Sequence, residues 1–220
     1  MGKLFVIDGT DGSGKQTQFE ELKKRLDREN IEYKTVSFPN YDSPSSSLVK
    51  MYLSGEFGED PKAVNAYVAS TFYAADRFAT FKKNYEEYYK NGGIILADRY
   101  TTANMVHQAG KITDAIERDK FLEWLWDFEF SKLGLPEPDL VLYLELPPKL
   151  SLSLVKSRSQ ETGQKMDIHE KDTAYMDKCY EAALYSCERL GWKRVKCYNG
   201  DTIRTRDDIF EEIYKEASKL

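Results

Sequence analysis

Residues 4–7, Leu-Phe-Val-Ile, form an unbroken apolar run that stops at Asp8 and Gly9. Its β-branched and aromatic content predicts a strand buried on both faces, as in a parallel sheet. Downstream, Phe19, Leu22 and Leu26 recur at three- and four-residue intervals among lysines and glutamates, the spacing of an amphipathic helix. Further strands are predicted at 33–38, 94–98, 139–146 and 194–198, and helical periodicity runs over about 61–90, 114–131, 172–190 and 206–219. Strands alternating with helices imply an α/β fold, a five-stranded parallel sheet covered on both faces. Two polar segments interrupt this rhythm, the Ser- and Pro-rich 38–47 and the stretch 157–172, and both are expected to be mobile.

The pattern shows neither an internal repeat nor a low-complexity tail, and 220 residues suffice for one substantial core, so 1–220 is expected to be a single domain. Hydrophobic residues at 41% and charged residues at 31% suit a soluble chain, and no apolar run nears the roughly 20 residues that span a bilayer. The opening Met-Gly-Lys-Leu-Phe-Val-Ile-Asp lacks a signal-peptide pattern, and Val6 breaks a myristoylation motif, so the mature chain is expected to begin here and to be cytoplasmic. Cys179, Cys187 and Cys197 have no CxxC spacing and are expected to pack as reduced thiols. A net charge of −5 argues against general nucleic-acid binding. Any positive charge that serves a phosphate must therefore be local.

Between the first strand and helix lies Gly9-Thr10-Asp11-Gly12-Ser13-Gly14-Lys15-Gln16-Thr17. Gly9, Gly14 and Lys15 meet the phosphate-loop pattern, but Gln16 stands where a metal-binding hydroxyl is usual. A strand before and a helix after make the match specific, because the loop then offers its N–H groups at a helix N-terminus. Lys15 is placed to reach the β- and γ-phosphates of a nucleotide. A second apolar run, 94–97, ends in Asp98 and Arg99 at the sheet edge where open α/β folds bind ligands. A carboxylate beside a guanidinium suits Mg²⁺ on one side and an anionic substrate on the other. Tyr73 and Arg77 lie four apart on a predicted helix, a flat ring beside a planar donor, able together to stack on and read a base.

Taken together, GTDGSGK at 9–15, FPNY at 38–41, FYAADR at 72–77, DRY at 98–100 and PDLVLYLELPP at 138–148 resemble the thymidylate kinases over nearly the whole chain. The resemblance implies a three-layer P-loop NTPase fold with a lid at about 156–172 and a monophosphate-binding region at about 38–77. It implies ATP and Mg²⁺ as cofactors, dTMP as acceptor, and a homodimer. Lys15 takes the loop-lysine position and Asp11 that of an acid organising phosphates and metal. Tyr73 falls where an aromatic ring stacks on thymine, and Arg77 where an arginine bonds the pyrimidine edge. Asp98 would assist the metal and Arg99 would grip the dTMP phosphate. Asn104 and Gln108 align with base contacts of some members, and Phe38 and Tyr41 would line the monophosphate pocket. Arg158 is the expected lid arginine, ahead of Lys156.

The chemistry agrees. The acceptor is a phosphate with a second pKa of about 6, largely dianionic at neutral pH, so no general base is required. The harder task is to bring two polyanions together, which Lys15, Arg99, a lid arginine and Mg²⁺ would do, while a lid excludes water.

Four positions depart from the family pattern. Gln16 replaces the hydroxyl, though its amide oxygen is also a hard ligand and Thr17 keeps a hydroxyl beside it. Asn40 stands where many members carry arginine, which removes a positive charge from the acceptor site. Ala103 replaces a frequent Ser. His107 replaces a tyrosine that often crowds the sugar 2′ position, which bears on deoxyribose selectivity. His169 reads as an exposed lid residue. Two alternatives stay open: a kinase for another pyrimidine monophosphate such as dUMP or UMP, and a degenerate P-loop protein that binds nucleotide without transfer. A deoxynucleoside kinase would need a carboxylate after the second strand, where FPNY has none.

Overall fold

Strand β1 (Lys3–Gly9) runs between β3 (Ile94–Asp98) and β4 (Leu140–Glu145), with β2 (Tyr33–Ser37) and β5 (Lys193–Lys196) at the edges. All four pairings are parallel, so the sheet order is β2-β3-β1-β4-β5. The computed structural model describes residues 1–58, 60, 63–152, 154 and 173–219. Register places Ile7 beside Asp98 and Gly9 beside Leu144. The C-terminal ends of β1 and β3 therefore lie side by side, the crevice where such sheets bind ligands.

Alternate residues of the strands feed two cores. Leu4, Val6, Ile95, Ala97, Val141 and Tyr143 point to one face, which is covered by α3 (Ala66–Thr80), α4 (Glu86–Lys90), α5 (Thr101–His107), α6 (Ala115–Trp126) and α7 (Thr173–Leu190). Phe5, Ile7, Leu96, Leu142 and Leu144 point to the other, against α1 (Lys15–Arg28) and α8 (Arg206–Ala217). Each fully buried Leu or Ile contributes about 1.5–3 kcal/mol. The predicted α1 stripe behaves as expected, with Phe19 and Leu22 buried and Leu26 packed against the same core.

The helix expected over 61–90 begins at Ala66, where Asn65 caps it by accepting from Val68 N at 2.9 Å. It continues to Lys90 through a π-turn at Phe81–Tyr85. Two short helices escaped the periodicity, α5 and α2 (Ser47–Leu53). The strand expected over 194–198 is β5 and ends at Lys196; beyond it the chain forms a small antiparallel pair, β6 (Tyr198–Asn199) with β7 (Thr202–Ile203). The segment 38–47, expected to be loose, is fastened: Asp76 accepts from Asn40 N at 2.7 Å and from Ser45 Oγ at 2.5 Å. Among the described residues, no helix is long and apolar enough to cross a membrane. The three cysteines are buried and form no disulfide with one another, and burial pushes the Cys187 and Cys197 thiols up to about 12.

Candidate active site

The loop after β1 is shaped by its glycines. A Cβ on Gly9 would stand 2.8 Å from the Leu144 carbonyl oxygen and 2.6 Å from Ser13 Oγ, so no other residue fits without displacement. Gly14 holds φ 85°, in the left-handed region, and serves as N-cap of α1 without any side-chain cap. The first amides of α1 and its positive end are thereby kept for an anion. Ser13 Oγ is buried against Gly9 and has no hydrogen-bond partner among the described residues. Lys15 Nζ folds over the loop, donating to the carbonyls of Gly9 at 2.7 Å and Thr10 at 3.0 Å, 4.0 Å from Asp11. Burial, with the Arg99 charge nearby, pulls its pKa below the usual lysine range. Gln16 is exposed on the first turn of α1, and Thr17 is half-buried.

At the end of β3, Asp98 lends its carbonyl to Phe38 N at 3.1 Å, tying the acceptor loop to the sheet edge. Arg99 then adopts φ 62°, while its N–H donates to Ile7 O at 3.1 Å. The left-handed conformation costs a non-glycine residue roughly 1–2 kcal/mol. It ends the strand, and the Arg99 guanidinium donates a charge-assisted hydrogen bond to Asp11 Oδ1. Burial alone would raise the Asp11 pKa, but Arg99, Lys15 and His107 overcome it and hold the carboxyl well below the ordinary range. Arg99 is shifted the other way: burial opposes its charge, and Asp11, Asp8 and Asp98 more than offset it.

Asp11 is also one wall of a cleft that opens beside the loop. Phe38, Tyr41, Tyr73 and Arg77 line it with Asp11, and Arg99, Asn104, His107 and Gln108 complete the expected set. Phe38 is buried and meets Tyr100 with ring centroids 5.8 Å apart, whereas Tyr41 is half exposed at the mouth. Tyr73 is backed edge-on by Tyr52 at 6.4 Å and 85°. Arg77 is buried and commits Nε and Nη2 to Glu129 at 2.7 and 2.5 Å, with Nη1 3.4 Å from the Tyr100 carbonyl. Part of its donor fork is thus already spent within the protein. Asn104 Nδ2 donates to Ser70 O at 3.4 Å, and Gln108 Oε1 is buried without a hydrogen-bond partner. His107 stacks on Tyr175, and its Nδ1 lies 3.7 Å from Cys179 Sγ. Asn40 turns its amide to Thr80 Oγ1 at 3.2 Å, anchoring the loop on α3.

Several residues of this arrangement were not singled out in the sequence. Asp8 is fully buried and accepts from Gly9 N at 2.8 Å and Thr102 Oγ1 at 2.5 Å, so it joins the phosphate loop to α5. Burial raises its pKa, against the pull of Arg99 and Lys15. Glu129 grips Arg77 and accepts from Thr101 Oγ1 at 2.7 Å. A carboxylate set between Phe128 and Phe130 was the available signal. Leu53, Tyr100, Ala103 and Tyr175 also line the cleft. Arg158, Lys156, His169 and the lid expected over 156–172 lie outside the described residues.

The family model for thymidylate kinase matches residues 7–199 of this chain. A thymidylate kinase of Mycobacterium tuberculosis is 29% identical over 171 residues, 77% of this chain and 78% of that protein. One of Plasmodium falciparum is 26% identical and spans 100% of this chain and 91% of its own length. Among solved structures, thymidylate kinase from Candida albicans superposes with a TM-score of 0.71 at 21% identity, covering 99% of this chain and 92% of that one. That likeness establishes the P-loop NTPase fold with its parallel sheet. The match of the family model across most of the chain establishes the rest: this chain belongs to the thymidylate kinase family.

Proposed function

We propose that this protein transfers the γ-phosphate of ATP to dTMP, giving dTDP and ADP. The observation that carries this reading is the shared wall: Asp11 belongs to the phosphate loop, lines the neighbouring cleft and holds Arg99, so donor and acceptor sites meet at one ion pair. In this reading the loop amides of residues 9–15 and the Thr17 hydroxyl receive the ATP phosphates, and Lys15 leaves the two loop carbonyls for them. Arg99 grips the acceptor phosphate, Tyr73 stacks on the base, and Phe38 and Tyr41 close its flank. Arg77, Asn104 and Gln108 face the base edge, and Gln108 Oε1 has its acceptor capacity free. His107 lies beside the sugar. Arg158 completes the charge from the lid.

The residues suit Mg²⁺ of the kind that rides on phosphates. Among the described residues there is no cluster of three His, Cys, Asp or Glu able to cage a metal, and Mg²⁺ characteristically takes one or two carboxylates and completes its shell with phosphate and water. Asp98, Asp11 and Gln16 are the side chains that would hold it. When bound, the ion neutralises phosphate charge and orients the γ-phosphoryl group. This chain's own residues hold the two polyanions in line and supply Lys15 and Arg99 against the charge that develops in transfer.

We also propose a homodimer, supported by the outer face of α3, where Val68, Ala75 and Phe78 are exposed along one side.

The deciding measurement is ADP release from ATP and Mg²⁺ with dTMP, dUMP, UMP and CMP in parallel. dTMP should give the highest kcat/KM, and Lys15→Ala should lose on the order of 100-fold or more. If ATP binds but dTMP yields no more ADP than buffer, the binding-only alternative replaces this reading.

A further inference from the structure

Behind the base side of the cleft, one lysine joins three parts of the chain. Lys111 closes the 3₁₀ turn Ala109–Lys111 that follows α5. Its Nζ donates to the Tyr52 hydroxyl of α2 at 2.7 Å and to the Val64 carbonyl, just ahead of α3, at 3.1 Å. The turn itself is set hard against α7, since a Cβ on Gly110 would come within 3.2 Å of the Cys179 backbone. Tyr52 and Val64 bracket the chain that leaves α2 and returns at α3. With Ala69 they form a small core of their own, against which Leu53, Phe72 and Tyr73 pack. This group is separate from the two cores that flank the sheet, so its position depends on what fastens it.

The tyrosine and the lysine each reach one end of the base site. The Tyr52 ring backs Tyr73 edge-on, and the Lys111 N–H donates to the Gln108 carbonyl at 3.1 Å. Lys111 thus fixes the group against which the stacking ring is set, and its own backbone ties Gln108 into the same turn. A lysine that served only solubility would extend into water; this one is half-buried. Burial pulls its pKa down to about 8, with Cys179 from α7 and Asp60 opposing that shift, which shows that the contact is kept at a desolvation cost.

We propose that Lys111 is a positioning residue for the acceptor nucleotide: it locks α2 and the returning chain at Val64 onto the 109–111 turn and so sets Tyr73 and Gln108 for the base. The inference rests on the kinase reading above for which ligand is positioned, but the clamp itself is independent of turnover.

The test compares wild type, Lys111→Met, Tyr52→Phe, the double variant and Lys111→Arg. Steady-state kinetics with dTMP and ATP should show the acceptor KM rising about 10-fold in Lys111→Met, as expected for a lost charged hydrogen bond. The values of kcat and the ATP KM should stay within about 2-fold in the same variant. Tyr52→Phe, which removes one oxygen and no bulk, should reproduce the effect, and the double variant should be no worse than the larger single change. Lys111→Arg should recover part of the loss. Hydrogen exchange read in parallel should show faster exchange across 47–58 and at 63–69 in Lys111→Met and Tyr52→Phe, with α1 and α8 unchanged. An unchanged acceptor KM, an equal change in kcat and both KM values, or additive effects in the double variant would overturn the proposal. Absence of turnover in wild type would instead overturn the kinase reading, and the exchange pattern alone would then decide whether the clamp exists.

Discussion

Glu129 is a carboxylate with no exposed surface that holds a guanidinium almost equally buried, 0% against 1%. Such a pair is weak as a source of net stability, because desolvation of both charges offsets their attraction, yet losing one partner strands the other and costs about 3–5 kcal/mol. Glu129→Gln should therefore cost on the order of 3 kcal/mol in urea unfolding, since the amide keeps the shape and surrenders the charge. Because the same guanidinium lines the acceptor cleft, the KM for dTMP should rise with it, while the ATP KM holds. The exposed pair Lys120–Glu117, with side chains 60% and 56% accessible, provides the contrast: Lys120→Ala should shift stability by well under 1 kcal/mol. If Glu129→Gln proved as mild as Lys120→Ala, Arg77 would owe its place to packing alone.

The elements differ in how legible they were. β1, the glycine loop and α1 stood out in the sequence because an apolar run, a turn that demands glycine and an amphipathic stripe each leave a separate trace, and the structure agrees at all three. α5 left none: Thr101, Thr102, Asn104, Met105 and Val106 are all buried in a helix of seven residues, so it shows no polar face and too few turns to reveal a period. It nevertheless carries Asn104 and His107 and anchors Asp8. Glu129 was hidden for another reason, because the π-turn at Asp127–Lys132 inserts a residue and shifts the phase by which α6 would be read. The loop raises the matter of Gln16. Since it is exposed on the first turn of α1 while the anion-facing work falls to backbone amides, Gln16→Ser should keep activity or raise it. Asp98→Ala, at the strand edge beside the loop, should lower kcat by on the order of 100-fold with melting little changed. Loss of activity in a folded Gln16→Ser variant would assign the glutamine a role of its own.

At the scale of the molecule, α3 connects the cleft to the surface. Its inner side carries Tyr73 and the buried Asp76 and Arg77, the residues that line the base site and fasten the 38–46 loop. Its outer side presents Val68, 44% exposed, and Phe78, 38% exposed, with Ala75 between them at helical spacing. An apolar stripe three turns long is unusual on a surface that otherwise carries charges of both signs, and it is the kind of face an isologous interface covers. A second copy meeting it would place two α3 helices back to back and brace both cleft walls at once, so assembly and acceptor binding would be linked. Phe78→Glu places a charge at the C-terminal end of that stripe and leaves Tyr73 and Arg77 in place. Light scattering should give wild type at twice the 25.5 kDa chain mass and the variant near the single-chain value. The variant should also bind dTMP more weakly, with ATP affinity unchanged because the loop sits on β1 and α1. A wild type that runs as a monomer, or a Phe78→Glu variant that remains dimeric, would locate any interface elsewhere and leave α3 stable without a partner.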